Sequence, residues 1–536
     1  MPNIHASSLL PFRPDVLIVG GGFAALIAAF AVREKGRTVA IVSLGPVGRS
    51  GNTVVAGGLI SSAFDTRENT AERYLEDLLA SGKGLADTEL AERLAFESSS
   101  MLERLQDLGV VFASRDGEPD PILVGGHSVR RTFSAECSNI PVSTRGRAFM
   151  EPLLPRLAGL NVPMLKGLRV TSLLRQGDRV VGVTARERES ETSHTLLAGS
   201  VILATGGYGG LFRRTNNVSD IYGDGIGLAL EAGGTLRDME MVQFYPTVML
   251  HPVRKNINGR MFAMGAVLRN GLGERFMDSY DPAGDLATRD VMARAIFLEI
   301  QAGRGKDGFV LVDCTGIPKD VLHGKYGPLY RFLRKKGLDM SRDMLPGVPT
   351  THYTLGGIRI DPDGRTGVPG LYAAGEVCGG VHGVNRLAGA AIMEAAVFGH
   401  RAGLAAATEA PEAPLRYDSA QMDEGVGSLW SSCVDADMLV LRSLLWDHIS
   451  LFRNAEGMTK ALEGIMKLRA KYSKDSTAAG KAFARNLLVG EAVARSAMKR
   501  TESRGAHYRS DYPETDPAWA KPVCCALRGN ELHFVE

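Results

Sequence analysis

A short apolar run that breaks into three consecutive glycines constrains this chain more than any other feature. Residues 16–19 (VLIV) carry no polar alternation, which is typical of a parallel strand buried on both faces. Glycines 20–22 follow, and residues 23–35 have the composition of an alanine-rich helix. In such a Gly-x-Gly-x-x-Ala spacing, the glycines permit a tight turn and close approach to a pyrophosphate, and the alanine lets helix and strand pack closely. The pattern predicts a dinucleotide at the helix N-terminus, where free N–H groups and the helix dipole favour negative charge.

The same apolar run has a second interpretation, as a membrane helix or a secretory signal. Residues 16–32 are uncharged, but a membrane helix needs about 20 residues and a signal needs a basic start and a small-residue cleavage site. Three glycines after only four strand-forming residues make a poor centre for a spanning helix. We therefore expect a soluble, cytoplasmic protein with no direct membrane insertion. The 62 Lys+Arg against 60 Asp+Glu give a net charge of +2, which offers no argument for a nucleic-acid partner.

Two later stretches repeat the change from apolar strand to glycine turn. Residues 200–207 (SVILATGG) and 370–376 (GLYAAGE) resemble residues 16–22 in this respect. Together they predict one dinucleotide-binding sheet built from segments distant in sequence, so that an inserted domain must lie between them. A further strand, residues 38–42, ends at Ser43, where an acidic ribose ligand is more usual. The Ser43 hydroxyl can still form a hydrogen bond to a ribose.

The cysteines exclude several classes of site. The chain has six cysteines, which are scattered and form no Cys-x-x-Cys motif. This spacing argues against a disulfide framework, a structural zinc and an iron–sulfur cluster. No metal site is predicted. The adjacent pair Cys524 and Cys525 could be redox-active, but a plain C-terminal pair is the favoured interpretation.

A series of glycine-rich and charged motifs stands in a fixed order along the chain. They are residues 50–58 (SGNTVVAGG), 126–131 (GHSVRR), 223–225 (GDG), 238–244 (DMEMVQF), 273–276 (GERF), 288–290 (TRD), 352–357 (HYTLGG), 374–376 (AGE), 382–387 (HGVNRL) and 502–507 (ESRGAH). In content and order this set resembles the flavoprotein subunits of fumarate reductase and succinate dehydrogenase, together with L-aspartate oxidase. The resemblance covers nearly the whole chain.

The resemblance implies an α/β fold with a Rossmann-like FAD-binding domain, an inserted α+β capping domain and a C-terminal helical domain. The expected bounds are residues 1–240 and 346–406 for the FAD-binding domain, 241–345 for the capping domain and 407–536 for the helical domain. Two local features agree with these bounds. Residues 409–414 (EAPEAP) read as a linker, and residues 439–471 have the apolar spacing of packed helices.

The resemblance also implies non-covalent FAD. Family members that bond the flavin covalently carry a histidine where this chain has Asn52, and an amide cannot form that link. The alternative for Asp224 and Glu376 is that they are solvated loop carboxylates, but flanking glycines favour the cofactor role. The residues expected to contact FAD are Gly20, Gly21, Gly22, Phe23, Ala24, Ser43, Ser50, Asn52, Thr53, Gly57, Gly58, Thr205, Gly206, Asp224, Glu376, Arg386, Ala391 and Ile392.

Three residues match substrate-facing positions of the family. Arg289 lies in the Thr-Arg-Asp motif, His352 in His-Tyr-x-x-Gly-Gly and Arg386 in Asn-Arg-Leu. Guanidinium groups suit carboxylates because each offers a planar bidentate fork and stays charged, and a histidine can donate a hydrogen bond to a carboxylate oxygen. The alternatives are a surface ion pair for Arg289, which precedes a predicted helix at 290–300, and a satisfied loop histidine for His352.

Other positions depart from the family pattern. Tyr245 stands where fumarate- and succinate-handling members have a histidine, and a tyrosine brings no positive charge at neutral pH. Residues 258–265 (NGRMFAMG) lack the family's substrate threonine and its glutamate–arginine proton relay, and residues 390–391 are alanines in place of Asn-Ser. Arginine needs rapid reprotonation to act as an acid, so fast fumarate reduction is less expected.

These departures suggest an altered substrate. The hypothesis is that Arg386 and His352 grip one carboxylate, while a less charged or bulkier second end lies near Tyr245, Met261 and Phe262. The overall prediction is an FAD-dependent oxidoreductase that transfers hydride between flavin N5 and a carbon next to a carboxylate of a small organic acid, with Arg289, His352, Arg386 and Tyr245 as the catalytic set.

Two alternatives remain open at this point. One is an L-aspartate oxidase, favoured by residues 125–131 (GGHSVRR), by the missing flavin histidine and by the similarity of the C-terminal motif. The other is a non-catalytic FAD-binding electron-transfer subunit. In each case the chain carries no cluster cysteines or haem motifs, so oxygen, a soluble electron carrier or a separate electron-transfer subunit must exchange electrons with it.

Overall fold

The computed structural model describes residues 13–64, 68–115, 117–257, 259–324, 326–411, 428–429 and 431–536. Its strands are β1 Val16–Val19, β2 Val39–Ser43, β3 Leu59–Ser61, β4 Ser114–Arg115, β5 Glu118–Pro119, β6 Thr132–Ser134, β7 Met164–Lys166, β8 Leu168–Gln176, β9 Arg179–Glu187, β10 Ser193–Leu197, β11 Ser200–Leu203, β12 Leu236–Arg237, β13 Val242–Met249, β14 Lys255–Asn256, β15 Val267–Arg269, β16 Val310–Asp313, β17 Leu345–Thr354, β18 Gly357–Arg359, β19 Leu371–Ala373, β20 Cys378–Gly379, β21 Cys524–Arg528 and β22 Glu531–Val535. Its α-helices are α1 Phe23–Glu34, α2 Asn52–Val55, α3 Ala71–Gly82, α4 Thr88–Phe96, α5 Ser98–Asp107, α6 Arg147–Met150, α7 Leu153–Gly159, α8 Asp224–Glu231, α9 Arg289–Gln301, α10 Lys319–His323, α11 Gly327–Arg334, α12 Ala390–Glu409, α13 Ser432–Ile449, α14 Ala455–Tyr472 and α15 Ala478–Lys499.

A parallel five-stranded sheet forms the centre of the first domain. Its order is β19-β11-β1-β2-β7, so β1 lies between strands that come from residues 39–43 and 200–203. Every residue of β1, β2 and β11 is buried, as expected of parallel strands covered on both faces. The three strand-into-glycine segments do lie side by side, and the α/β fold predicted from them is confirmed.

Helices α1 and α12 pack tightly against each other over this sheet. The close approach depends on small residues, since a side chain at Gly399 would meet the backbone of Ala24 at 2.7 Å. The apolar run of residues 16–32 is therefore divided between a strand and a buried helix. Among the residues that the structure describes, no helix has the length and apolar character that crossing a bilayer requires.

The capping region has an antiparallel sheet and a hydrophobic core of its own. The sheet order is β14-β13-β17-β16-β15, with α9, α10 and α11 in the same region. Strand β17 crosses the boundary predicted at residue 346, because it continues to Thr354 while paired with β13. The separate core includes Met261 and Phe262.

The C-terminal region combines helices with a β-hairpin. Helices α13, α14 and α15 pack together, in agreement with the apolar spacing at 439–471. The hairpin β21–β22 then extends a sheet of the FAD-binding region in the order β20-β18-β12-β21-β22, and the prediction of a C-terminal helical domain did not include this hairpin. Of the predicted linker 409–414, Glu409 ends α12 and residues 412–414 lie outside the described residues.

Candidate active site

One cavity of about 760 Å³ runs from the start of α1 to the capping sheet. The β1–α1 turn and the α2 loop line one end, and β13, β14, β17 and the start of α9 line the other. Residues 326, 328 and 329, at the start of α11, also line it, and α11 contacts the short helical turn at residues 142–144. The cavity thus lies between the sheet predicted to bind the dinucleotide and the sheet of the capping region.

The β1–α1 end has the features that a dinucleotide needs. Gly20 has a φ of +120°, and a side chain there would collide with the backbone of Ala204. The N-cap of α1 is Gly22, which has no side chain to cap the first turn, although the Phe23 N–H donates to Thr53 Oγ1 at 3.4 Å. Uncapped N–H groups at a helix N-terminus fit a phosphate. The residues present therefore fit the pyrophosphate of FAD.

The structure brings together nearly all of the residues predicted to contact FAD. Gly58 is the exception: a Cβ built on it would lie 3.3 Å from Cys137 Sγ and 3.4 Å from Arg145 Cβ, and Gly58 does not itself border the cavity, so its contact with FAD stays a prediction. The residues that line the cavity are Gly20, Gly21, Gly22, Phe23, Ala24, Ser43, Ser50, Asn52, Thr53, Gly57, Thr205, Gly206, Asp224, Glu376, Arg386, Ala391 and Ile392.

The two predicted cofactor carboxylates are held by hydrogen bonds, not left in solvent. Asp224 accepts hydrogen bonds from Arg169 Nε and Nη2 at 2.9 and 3.0 Å, so its carboxylate orients a guanidinium that also lines the cavity. Glu376 accepts from Asn52 Nδ2 at 3.1 Å and from the Thr354 N–H at 3.1 Å. Burial raises the pKa of Glu376 to about 7.

The other end of the cavity collects the predicted substrate residues. Arg289 is the first residue of α9, with its guanidinium carbon 5.2 Å from the centre of the Tyr245 ring. The His352 and Tyr245 rings are 5.3 Å apart, and Arg386 lies 4.9 Å over the ring of Tyr353. In the described part of the chain Arg289 forms no ion pair, while its neighbour Asp290 pairs with Arg294. The surface ion-pair alternative for Arg289 therefore has no support.

His352 is neutral in this setting. Burial, with the positive charges of Arg386 and Arg289, holds the pKa of His352 well below its ordinary value. Its Nδ1 lies 3.0 Å from Asn216 Nδ2. Burial likewise lowers the pKa of Arg386, which is only 7% exposed and whose Nε has no hydrogen-bond partner among the described residues. Because a buried charge is costly unless it is paired, this guanidinium favours binding of an anion.

Several residues of this end were not predicted from the sequence. Arg254, Lys255, Asn256 and Arg260 line the cavity, and so does Asn216. The sequence feature that could have indicated them is the polar run Arg-Lys-Asn at residues 254–256, which carries two positive charges.

By contrast, Met261 and Phe262 do not border the substrate end, and that part of the hypothesis is wrong. The short helix of residues 259–264 turns them into the capping core, where they are 0% and 5% exposed, and leaves Arg260 at the cavity. These two side chains therefore give no support to a substrate with an apolar second end.

The chain is similar to known flavoproteins along its length. Residues 15–392 match a family model described as FAD binding domain, and residues 439–533 match one described as fumarate reductase flavoprotein C-term. One subunit of the fumarate reductase (CoM/CoB) of Methanothermobacter marburgensis is 34% identical over 96% of this chain and 97% of its own. L-Aspartate oxidase of Yersinia pestis is 34% identical over 93% of this chain and 96% of its own. The solved structure of Mycobacterium smegmatis Sdh1 in complex with UQ1 has a TM-score of 0.85 and 30% identity, covering 98% of this chain and 94% of that one.

Proposed function

This chain belongs to the flavoprotein family of fumarate reductase and succinate dehydrogenase and is an FAD-dependent oxidoreductase, and from that premise we propose that its substrate is a small acid with an anionic group at each end. When bound, FAD supplies hydride exchange between its N5 and a carbon next to a carboxylate. The residues proposed to hold FAD are the cavity-lining residues of the β1–α1 turn, the α2 loop and the start of α12.

The distribution of charge in the cavity carries this proposal. Among the described lining residues the carboxylates are Asp220, Asp224 and Glu376, and all three belong to segments at the cofactor end or beside it. The substrate end has the guanidiniums of Arg260, Arg289 and Arg386. Repulsion from Arg289 contributes to the lowered pKa of Arg386 and of Arg260, in addition to burial. A dianion relieves that repulsion, whereas an acid with one carboxylate relieves only part of it.

The chain's own groups divide the work of binding and proton transfer. Arg386 and neutral His352 hold one carboxylate, and Arg260 with Tyr245 faces the other end. Arg289 is the proposed proton donor. Because Arg289 is exposed at the start of α9, solvent can return its proton without the carboxylate relay that the sequence lacks.

L-Aspartate oxidation is the second candidate, supported by the identity to the Yersinia pestis enzyme. A carboxylate near the reacting carbon would stabilise the positive charge of a substrate ammonium group. The lining residues that the structure describes offer Tyr245, Asn216 and Asn256 at that end but no acid. This charge pattern favours an unsaturated or saturated dicarboxylate over an amino acid.

We infer that electrons reach FAD through a separate subunit or a soluble carrier. The relative from Methanothermobacter marburgensis is named as a subunit, which supports a divided enzyme. The described residues contain no group of three or more His, Cys, Asp or Glu arranged to hold a metal.

A flavin assay tests the substrate proposal. The protein is reduced chemically without oxygen, and flavin reoxidation is followed on adding fumarate or crotonate, which share the double bond but differ by one carboxylate. Fumarate is expected to reoxidise the flavin at least about 100-fold faster than crotonate, because only fumarate has a carboxylate for Arg386 and a second one for Arg260. Equal rates would refute the dianion proposal, and hydrogen peroxide formed from L-aspartate in air would select the second candidate.

A further inference from the structure

A row of three asparagines runs from the α2 loop to the ring of His352. It consists of Asn52, Asn217 and Asn216, which line the cavity, and none of the three has a charge of its own. The segment that carries Asn216 is fixed against β17, because the Thr351 N–H donates to Arg214 O at 2.9 Å and the Asn216 N–H donates to Thr351 O at 3.1 Å. Both bonds are made by Thr351, the residue before His352, and they hold Asn216 beside the His352 ring.

The orientation of the first amide is set by a backbone group. The Val218 N–H can only donate, and it lies 3.2 Å from Asn52 Oδ1, which must therefore be the oxygen. The nitrogen of Asn52 then faces Asn217 Oδ1 at 2.8 Å and Glu376 at 3.1 Å, both of which accept.

The second and third amides follow from the first. Asn217 Nδ2 lies 3.1 Å from the backbone oxygen of His352, which can only accept, so this atom is the nitrogen. The same nitrogen lies 3.5 Å from Asn216 Oδ1. Turning the Asn216 amide over would set two NH2 groups against each other. Asn216 Nδ2 therefore faces His352 Nδ1 at 3.0 Å and Asn256 Oδ1 at 2.8 Å, with one hydrogen for each.

This order of donors determines where the histidine proton lies. A neutral imidazole has one N–H and one acceptor nitrogen. Asn216 Oδ1 also lies near Nδ1, at 3.2 Å, and would accept from an Nδ1–H, but the shorter contact to Nδ2 and the bond from Asn217 Nδ2 to Asn216 Oδ1 favour Asn216 as the donor. With Asn216 as the donor to Nδ1, the proton lies on Nε2, which has no hydrogen-bond partner in the described part of the chain. The charged and titratable groups around the ring are Arg289, Arg386 and Tyr245.

We propose that Asn216 is a positioning residue, which keeps His352 in the tautomer that donates from Nε2 toward the substrate. The inference rests on the proposed substrate-binding role of His352, but the tautomer itself does not depend on it. Asn256 supports the arrangement from β14 by accepting the second hydrogen of Asn216. Asn52, at the position of the family's flavin-linked histidine, begins the row of amides.

The tautomer can be measured directly on the FAD-loaded protein. Nitrogen-15 spectra of histidine-labelled protein separate an N–H nitrogen from an acceptor nitrogen, and loss of one signal in His352→Gln assigns the ring. We expect Nε2–H in the unmodified protein. In Asn216→Asp the new carboxylate accepts from Nδ1, so we expect Nδ1–H, or protonation of both nitrogens as the pH falls.

Turnover supplies the second measurement. Asn216→Asp should lower kcat/KM about 100-fold at alkaline pH and recover part of it at acidic pH, where the imidazolium donates from both nitrogens. Asn216→Leu, which removes the donor and adds no acceptor, should lose activity without this recovery. Asn454→Asp is the matched control, because Asn454 caps α14 through its side-chain oxygen and aspartate caps equally well.

The possible results separate the two proposals. Nδ1–H in the unmodified protein, or an Asn216→Asp protein with unchanged tautomer and pH profile, would overturn the role of Asn216. Nε2–H with no turnover of any tested acid would support the amide row while refuting the proposed function. If each variant retains FAD, unfolding is excluded as the cause of its lowered kcat/KM.

Discussion

Gly146 gives a sharp test of how the FAD loop is held. It precedes α6 with a φ of −62°, which any residue adopts, so alanine introduces no backbone strain. Its absent side chain faces the α2 loop, where a Cβ would overlap the Thr53 carbonyl oxygen, with the carbonyl carbon at 2.8 Å and Ala56 Cβ at 3.2 Å. Gly146→Ala must therefore displace the loop that lines the FAD end of the cavity.

The size of the effect follows from the overlap. Forcing one methyl group against rigid backbone costs about 1–3 kcal/mol. If the loop needs its native position to hold FAD, that energy appears as a dissociation constant about 5–150-fold higher, since about 1.4 kcal/mol is a factor of ten. The protein without FAD should unfold at nearly its normal temperature, because the displaced loop can relax.

Titration of FAD-stripped protein with FAD, followed by flavin fluorescence, gives the dissociation constant. Gly159→Ala is the control, because Gly159 ends α7 on the surface and a Cβ there meets nothing within 4 Å. The control should bind FAD normally. An unchanged dissociation constant in Gly146→Ala would refute the reasoning, and so would an equal loss in the control.

Three further predictions concern the cavity. Acid precipitation of the purified protein should release all of the flavin, because Asn52 cannot form a histidyl bond; yellow flavin left on the pellet would contradict this. Arg386→Lys should lower kcat/KM at least about 100-fold, because lysine lacks the bidentate fork and leaves the carboxylate poorly held, and steady-state rates measure it. Burial and Arg145 lower the pKa of Lys255 to about 8, so its ammonium is charged below that pH and neutral above it. The KM for a dicarboxylate should thus rise about fivefold from pH 7 to pH 9, and Lys255→Met should keep a high, pH-independent KM.

The features that the sequence could predict are those encoded locally. Residues 16–25 contain strand, turn and helix in one short stretch, and their spacing alone indicates both the fold and the phosphate end of the site. The positions of Arg289, His352 and Arg386 were predictable because each lies in a short motif with a family counterpart. All three line the same cavity, although their motifs are far apart in the chain.

What the sequence could not predict depends on pairing between distant segments. Asn216 reaches His352 only because residues 214–217 run alongside β17, and no local pattern encodes that contact. Met261 and Phe262 were assigned to the wrong surface because a short helical turn rotates them into a core. Gly58 shares a motif with cavity residues, but a Cβ built on it would meet Cys137 and Arg145.

The hairpin β21–β22 has a consequence for how the protein is made. Strand β12, at Leu236–Arg237, pairs with β18 on one side and with Cys524 and Cys525 of β21 on the other. During translation that edge of β12 therefore stays unpaired until residues 524 and 525 have left the ribosome. A product that stops before residue 524 would thus expose the unpaired backbone N–H and C=O groups of β12.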